Sequence, residues 1–276
     1  MDAKNEIVGE FIREVQRARK YRGMQIAEST LRDLVEQELT RHRDPKDALQ
    51  SARQKLHHVM APYLGDPDYD QAAIDLEQAF ASGQPSEVRN RCQSILGAHA
   101  STRERLPFLE RFYTELFALT GKPRVLLDLA CGLNPLAFPW MGLPPSVCYR
   151  AYDIHSPRVA LINHFFSLQG LQPLAEVCDI LVEPPPVEAD VAIFFKEAHR
   201  FEQRRKGCLL PFWRALNVHW LLVSLPVTSL SGRHNLVEQQ RGLVYGTLQG
   251  MDWEVNEIMI ENELVFCIKK DAKNNG

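Results

Sequence analysis

The spacing of apolar residues changes once along this chain, near residue 121, and no single motif constrains the fold as much. From about residue 5 to 120 the pattern is helical. Val8, Phe11, Ile12 and Val15 recur at three- and four-residue steps, which makes one buried stripe. Ile26, Leu31, Leu34, Val35 and Leu39 make a second. Asp44-Pro45 offers an N-cap acceptor followed by proline in the first helical position. From there Ala48, Leu49, Ala52, Leu56 and Val59 mark an inner face. After a break at 62–67, a helix carrying Ile74, Leu76 and Phe80 is expected. Another runs from Pro85-Ser86 to Leu96-Gly97, and a longer one opens at Ser101-Thr102 with a bend at Pro107.

Beyond Gly121-Lys122-Pro123, short continuous apolar runs take over, as in strands buried on both faces. They fall at 125–130, 147–153, 174–178, 191–195 and 220–225, and helical stretches such as 157–168, 201–218 and 235–248 separate most of them. Strand alternating with helix predicts a parallel sheet covered on both faces. The final two runs, 253–260 and 264–269, flank a turn at Glu261-Asn262 and must therefore be antiparallel. The expected fold is α/β. A mostly parallel sheet closed by a C-terminal antiparallel hairpin is the Rossmann-like sheet of class I S-adenosylmethionine-dependent methyltransferases. Here an all-α N-terminal domain precedes it, with the boundary expected near residue 105 (1–105 and 106–276).

Composition narrows the setting. The 276 residues are 45% hydrophobic and 24% charged, the balance of a soluble globular chain. A net charge of −3 excludes a uniformly basic nucleic-acid-binding protein, although not a local basic patch. No apolar run reaches the roughly 18 residues of a membrane span, and the opening MDAKNEIVGEF lacks the apolar core of a secretory signal. A cytoplasmic, monomeric protein is expected. Cys92, Cys131, Cys148, Cys178, Cys208 and Cys267 show no C-x-x-C spacing, so they read as reduced thiols rather than as a metal or redox site.

In an open α/β sheet, ligands bind beyond the carboxyl ends of the strands. Three features fall there: Asp128-Leu129-Ala130-Cys131-Gly132, Asp153 and Asp179-Ile180. Gly132 allows close approach of backbone to ligand. Asp153 can accept from both ribose hydroxyls, and Asp179 from an adenine amino group, with Ile180 against the ring. Each aspartate alone reads equally well as a solvated or capping carboxylate; three at successive strand ends favour a ligand. A dinucleotide site needs G-x-G-x-x-G to cradle a pyrophosphate. The loop Cys131-Gly132-Leu133-Asn134-Pro135 has one glycine and a proline, which makes a nicotinamide dehydrogenase the least favoured reading and suits S-adenosylmethionine. The cofactor's carboxylate calls for an arginine, and the segment from His99 to Pro107 holds Arg103 and Arg105, which spacing cannot separate. Ser101 and Glu104 form a candidate capping box.

HASTRERLPFLERFY, VLLDLACGLNPLAFPW, AYDIH, the segment from Phe195 to Arg205 and SLPVTSLSGR together resemble one family. It is the 16S ribosomal RNA (guanine(1405)-N7)-methyltransferases that confer aminoglycoside resistance. The resemblance spans nearly the whole chain, and STRERLP and DLACGLNP are its specific strings. It implies that His99, Ala100 and Ser101 lie along the cofactor, that Arg105 holds its carboxylate, and that Ala130 and Gly132 face its methionine portion. Asp153 takes the ribose, and Asp179 and Ile180 the adenine. Phe195 and Gln203 line the same pocket, and Tyr63 covers it. Guanine N7 has a lone pair and no proton to lose, so no catalytic base and no metal is expected.

A basic face accounts for RNA binding by an acidic chain. The first 60 residues hold 12 Lys+Arg against 10 Asp+Glu, a local charge of +2. Arg13, Arg17 and Lys20 stand at i, i+4 and i+7 on one helix side; Lys46, Arg53 and His57, at i, i+7 and i+11, likewise share one side of the helix after Asp44, with Lys55 beside them. Folded RNA is recognised by shape and phosphate contacts, so residues 1–105 are expected to dock 16S rRNA within the assembled 30S subunit. Arg233, in the loop Ser229-Leu230-Ser231-Gly232-Arg233, is the candidate for gripping a flipped nucleotide. Three other readings compete: a small-molecule methyltransferase whose helical half is a lid, another RNA methyltransferase, such as one acting on N1 of a nearby adenine, and a non-catalytic module on the same fold.

Overall fold

The computed structural model describes residues 3–18, 25–228 and 235–270. Seven strands form one sheet in the order β3-β2-β1-β4-β5-β7-β6. They are β1 (Val125–Leu129), β2 (Cys148–Asp153), β3 (Ala175–Val177), β4 (Ala189–Phe195), β5 (Val218–Pro226), β6 (Glu254–Ile260) and β7 (Glu263–Lys269). β1 to β5 are parallel; β7 runs antiparallel to β5, and β6 antiparallel to β7. The chain reverses between β6 and β7 at 261–262, with Glu261 at φ 52°.

Alternation along the strands divides the core. Leu126, Val191, Ile193 and Leu222 face one layer, and Leu127, Leu129, Ala192, Phe194, Leu221 and Val223 face the other. Continuous apolar runs are thus the signature of central strands covered on both faces, whereas the edge strands β3 and β6 are partly exposed. The helical stretch expected over 201–218 is two short helices, α9 (Ala198–Arg204) and α10 (Leu209–Ala215). Gly207, at φ 76°, stands in the break between them.

Ahead of the sheet lie α1 (Ala3–Arg17), α2 (Glu28–Arg41), α3 (Pro45–Met60), α4 (Tyr69–Ala81), α5 (Pro85–Ala98), α6 (Ala100–Arg103) and α7 (Leu109–Thr120). α8 (Ser156–Gln169) follows β2, and α11 (Val237–Thr247) follows β5. Asp44 caps α3 by accepting from the Lys46 amide, as its sequence implies. The capping box expected at Ser101 and Glu104 does not form. His99 occupies the N-cap of α6 without a side-chain bond, and Glu104 instead meets Lys196 at 2.7 Å. The buried cation is the stronger partner for that carboxylate. Ile74, expected on an apolar face, is 47% exposed; Ala72, Leu76 and Ala79 make the buried face of α4.

The core divides earlier than residue 105. α1, α2 and α3 share a cluster of their own built on Val8, Phe11, Leu31, Leu34, Ala52 and Leu56. Leu76 of α4 and Cys92, Ile95 and Leu96 of α5 belong instead to the core beneath the sheet, with Phe112 and Leu116 of α7. The three-helix unit is tied to the sheet by backbone bonds just ahead of α2: Ala27 donates to the Ile154 carbonyl, and Ser156 to that of Gln25, each at 2.8 Å.

Candidate cofactor site

A cavity of about 470 Å³ opens at the carboxyl ends of the parallel strands. That volume is typical of a small-molecule site. The order β2-β1-β4 places it at the switch point of the sheet, where neighbouring connections diverge and leave a crevice. Its remaining wall comes from α3 and the turn after it, through Lys55, His58, Val59, Pro62 and Tyr63.

Eleven of the twelve residues expected to hold a cofactor line this cavity: Tyr63, His99, Ser101, Arg105, Ala130, Gly132, Asp153, Asp179, Ile180, Phe195 and Gln203. Ala100 does not; it is exposed at the start of α6, whereas the residues on either side of it face inward. Arg103 is also exposed, with one long contact to the Gly97 carbonyl at 3.5 Å, so the structure separates the two arginines that spacing could not. Gly132 sits at φ 56°, and a Cβ there would point between Arg158 Nη1 and His99 Nε2, at 3.7 and 3.9 Å.

Tyr63, His99, Arg105, Asp153 and Asp179 each have polar partners within the chain. Asp153 is 3% exposed. Its Oδ1 accepts from the Tyr63 hydroxyl at 3.0 Å and the His155 amide at 2.9 Å. Its Oδ2 accepts from the Gly132 amide at 3.1 Å and Arg158 Nη1 at 3.0 Å. Arg158 also binds Asp66, which accepts from Tyr69 and meets His99 Nδ1 at 3.0 Å. Asp179 Oδ2 accepts from the Thr30 hydroxyl at 2.6 Å and pairs with Arg204 Nη2 at 2.7 Å. The Arg105 guanidinium packs beside the edge-to-face pair of Phe112 and Phe195, 4.3 and 4.6 Å from their centroids. It donates through Nε and Nη2 to Glu263, and through Nη1 to Asn134. Burial disfavours its charge, but the Glu263 carboxylate outweighs burial and holds the pKa up.

Asp128 does not line the cavity. It is buried beneath, where it accepts from Asn134 and the Tyr149 hydroxyl, and burial pushes its carboxyl up to about 7. It braces the loop after β1 through Asn134 rather than meeting a ligand. Glu197 and His199 do line the cavity; burial raises the first to about 7 and lowers the second to about 4, which leaves the imidazole neutral. His199 Nδ1 and Arg204 Nε are buried without a hydrogen-bond partner. Unpaired buried polar atoms are costly, and both residues border the cavity. All six cysteines are free thiols, and Cys131 and Cys178 sit on the cavity wall.

Sequence reasoning did not find Arg158, Arg204, Asp66, Thr30, Asn134 or Glu263. One signal was present: Arg158 stands in a helix beside Val159, Leu161 and Ile162, and a cation on so apolar a stretch needs a buried counter-charge.

The candidate RNA residues divide. Arg13, Arg17 and Lys46 are exposed. Arg53 is exposed but paired with Glu14 at 2.8 Å. Lys55 does not belong to the outer basic face: it pairs with buried Glu38 at 2.7 Å and borders the cavity. Lys20 and Arg233, with the rest of the loop 229–233, lie outside the described residues.

The family model described as "Ribosomal RNA methyltransferase (FmrO)" matches residues 17–267. The chain belongs to this family of ribosomal RNA methyltransferases. It is 33% identical over 261 residues to a 16S rRNA (guanine(1405)-N(7))-methyltransferase of Frankia casuarinae, covering 93% of this chain and 91% of that one. It is 30% identical over 266 residues to the enzyme of the same name from Micromonospora echinospora, covering 93% and 94%. Among solved structures, the 16S rRNA methyltransferase RmtF in complex with S-adenosyl-L-homocysteine superposes with a TM-score of 0.77 at 28% identity, covering 98% of this chain and 99% of that one. The 16S rRNA methylase RmtB gives 0.75 at 26%, covering 96% and 98%. The seven-stranded sheet with its C-terminal hairpin is thus that of a class I methyltransferase.

Proposed function

We propose that this chain transfers a methyl group from S-adenosylmethionine to N7 of the decoding-site guanine of 16S rRNA in the 30S subunit, giving aminoglycoside resistance. One observation carries the reading. In a member of the ribosomal RNA methyltransferase family, the strand-end cavity brings together Asp153, Asp179, Ile180, Gly132 and Arg105. Those donors and acceptors fit an adenosine with an amino-acid tail, and no phosphate cradle is among them.

When bound, the cofactor supplies an electrophilic methyl group on a sulfonium. Asp153 would hold the ribose, Asp179 and Ile180 the adenine, and Arg105 the carboxylate. Gly132 and Ala130 would flank the methionine portion, with Tyr63 and Phe195 excluding water. Guanine N7 brings its own lone pair, so the protein has to align two substrates rather than remove a proton. Alignment of that kind is worth up to roughly 7–11 kcal/mol.

Docking of the RNA is assigned to the basic side of α1 and α3. The exposed Arg53–Glu14 pair links these helices there, while Arg13, Arg17 and Lys46 are open to phosphates. The enzyme acts as a cytoplasmic monomer in this reading, and Arg233 grips the extruded nucleotide. The test is incubation with 30S particles and S-adenosylmethionine, then borohydride and aniline cleavage read by primer extension. A stop at the decoding-site guanine is expected. Turnover without that stop, or turnover on small metabolites alone, refutes the assignment.

A further inference from the structure

The two carboxylates assigned to the cofactor are held by the same three-part device. Asp153 takes a hydroxyl from Tyr63 and an arginine, Arg158, that reaches on to Asp66. Asp179 takes a hydroxyl from Thr30 and an arginine, Arg204, whose Nη2 also meets Asp33 Oδ2 at 2.7 Å. In each case the hydroxyl and the second acid come from before the sheet, and the arginine from a helix of the sheet layer. A carboxylate has about four lone-pair positions. On Asp153 the His155 and Gly132 amides and Arg158 hold three positions, and the Tyr63 hydroxyl, which can rotate away, holds the one a ribose hydroxyl would take. On Asp179, Thr30 and Arg204 fill Oδ2, and Oδ1 receives only the Leu181 amide at 3.2 Å. Thr30 itself is wholly buried, 149 residues from its partner.

We infer that Thr30 and Arg204 are positioning residues of the adenine subsite: by occupying Oδ2 they fix the carboxylate so that Oδ1 keeps one position open for an exocyclic amino group. The inference rests on the cofactor reading given above and extends it, since Thr30 and Asp33 belong to α2. The helical unit that docks RNA thereby supplies part of the recognition of the cofactor.

The test compares three ligands by titration calorimetry on the full chain: S-adenosyl-L-homocysteine, its analogue without the 6-amino group and its analogue without the 2′-hydroxyl. The wild type loses at least about tenfold in affinity when the amino group is absent, the worth of a hydrogen bond to a charged acceptor. Thr30→Val, nearly the same size, loses about threefold or less for the same change, and Arg204→Lys falls in between. Thr30→Val keeps the wild-type penalty for the missing 2′-hydroxyl, because Asp153 has its own holders. An amino-group penalty undiminished in Thr30→Val overturns the inference. So does an equal loss of affinity for all three ligands, which marks a general loosening of α2. Should Arg204→Lys not fold, Thr30→Val decides alone. A wild type that binds none of the three defeats the assignment of the pocket itself, a result distinct from either failure of Thr30.

Discussion

Glu261 and Glu263 stand two residues apart at the β6–β7 turn, each paired with an arginine, and their burial predicts opposite outcomes for the same substitution. Glu263 is wholly buried. It accepts from Arg105 Nη2 at 2.5 Å and Nε at 3.2 Å, with Lys196 Nζ at 3.5 Å. Glu263→Gln keeps the volume but turns one acceptor into a donor facing two cations, and it strands the Arg105 charge against two aromatic rings. Breaking a buried pair from one side costs about 3–5 kcal/mol. In a chain of this size each kcal/mol moves the unfolding midpoint by roughly 2–4 °C. The midpoint should therefore fall by roughly 6–20 °C, measured by far-UV circular dichroism at neutral pH. Glu261 meets Arg111 at 2.9 Å, but both side chains are 53% exposed. Glu261→Gln should cost under about 1 kcal/mol, a shift of at most a few degrees. The two variants share a turn, a substitution and a partner type, so burial is the main difference between them. Equal shifts, or a loss of under about 1 kcal/mol for Glu263→Gln, would refute the reasoning. Acid sharpens the comparison. Burial alone would raise the Glu263 carboxyl, but Arg105 and Lys196 hold it below its ordinary value. Its contribution is therefore complete above the ordinary carboxylate range and disappears as pH falls through the lowered value. The gap between wild type and variant should close in acid.

Glu197 predicts the reverse. Burial raises its carboxyl to about 7, so ionising it in the fold opposes stability once the pH passes the ordinary glutamate value. Glu197→Gln should stabilise by about 1–3 kcal/mol at pH 8 and have no measurable effect at pH 4. Urea midpoints at the two pH values check this, and a pH-independent change would contradict it. Arg13→Glu with Arg17→Glu should weaken 30S binding at least tenfold and flatten its salt dependence, since phosphate contacts release counterions. Affinity for S-adenosyl-L-homocysteine should not change; unaltered 30S binding would remove these residues from the RNA face.

The strands were legible because a sheet covered on both faces demands continuous apolar runs, and the hairpin because a two-residue connection allows only an antiparallel pair. The ligand side of the sheet could be read from Asp153, Gly132 and Asp179, which sit at strand ends where local sequence and site position coincide. Lys55 shows where such reading fails. Its spacing beside Arg53 suggests the outer face, yet Glu38 of the neighbouring helix draws it inward, to the cavity rim. Which core each N-terminal helix joins was illegible for a related reason. α4 and α5 have the same helical period as α1 to α3, and periodicity does not say which core an apolar stripe enters.

Period, turn chemistry and strand-end acids are local properties, and from them the sequence by itself determined an α/β sheet, its antiparallel close and a site for an adenosine-like cofactor. Tertiary structure alone decided what each charge in that site meets. Thr30 finds Asp179 across 149 residues, and Arg105 finds Glu263 across 158. A buried charge must be paired wherever the fold can supply a partner, and a partner brought in by the sheet from so far along the chain leaves no mark on spacing.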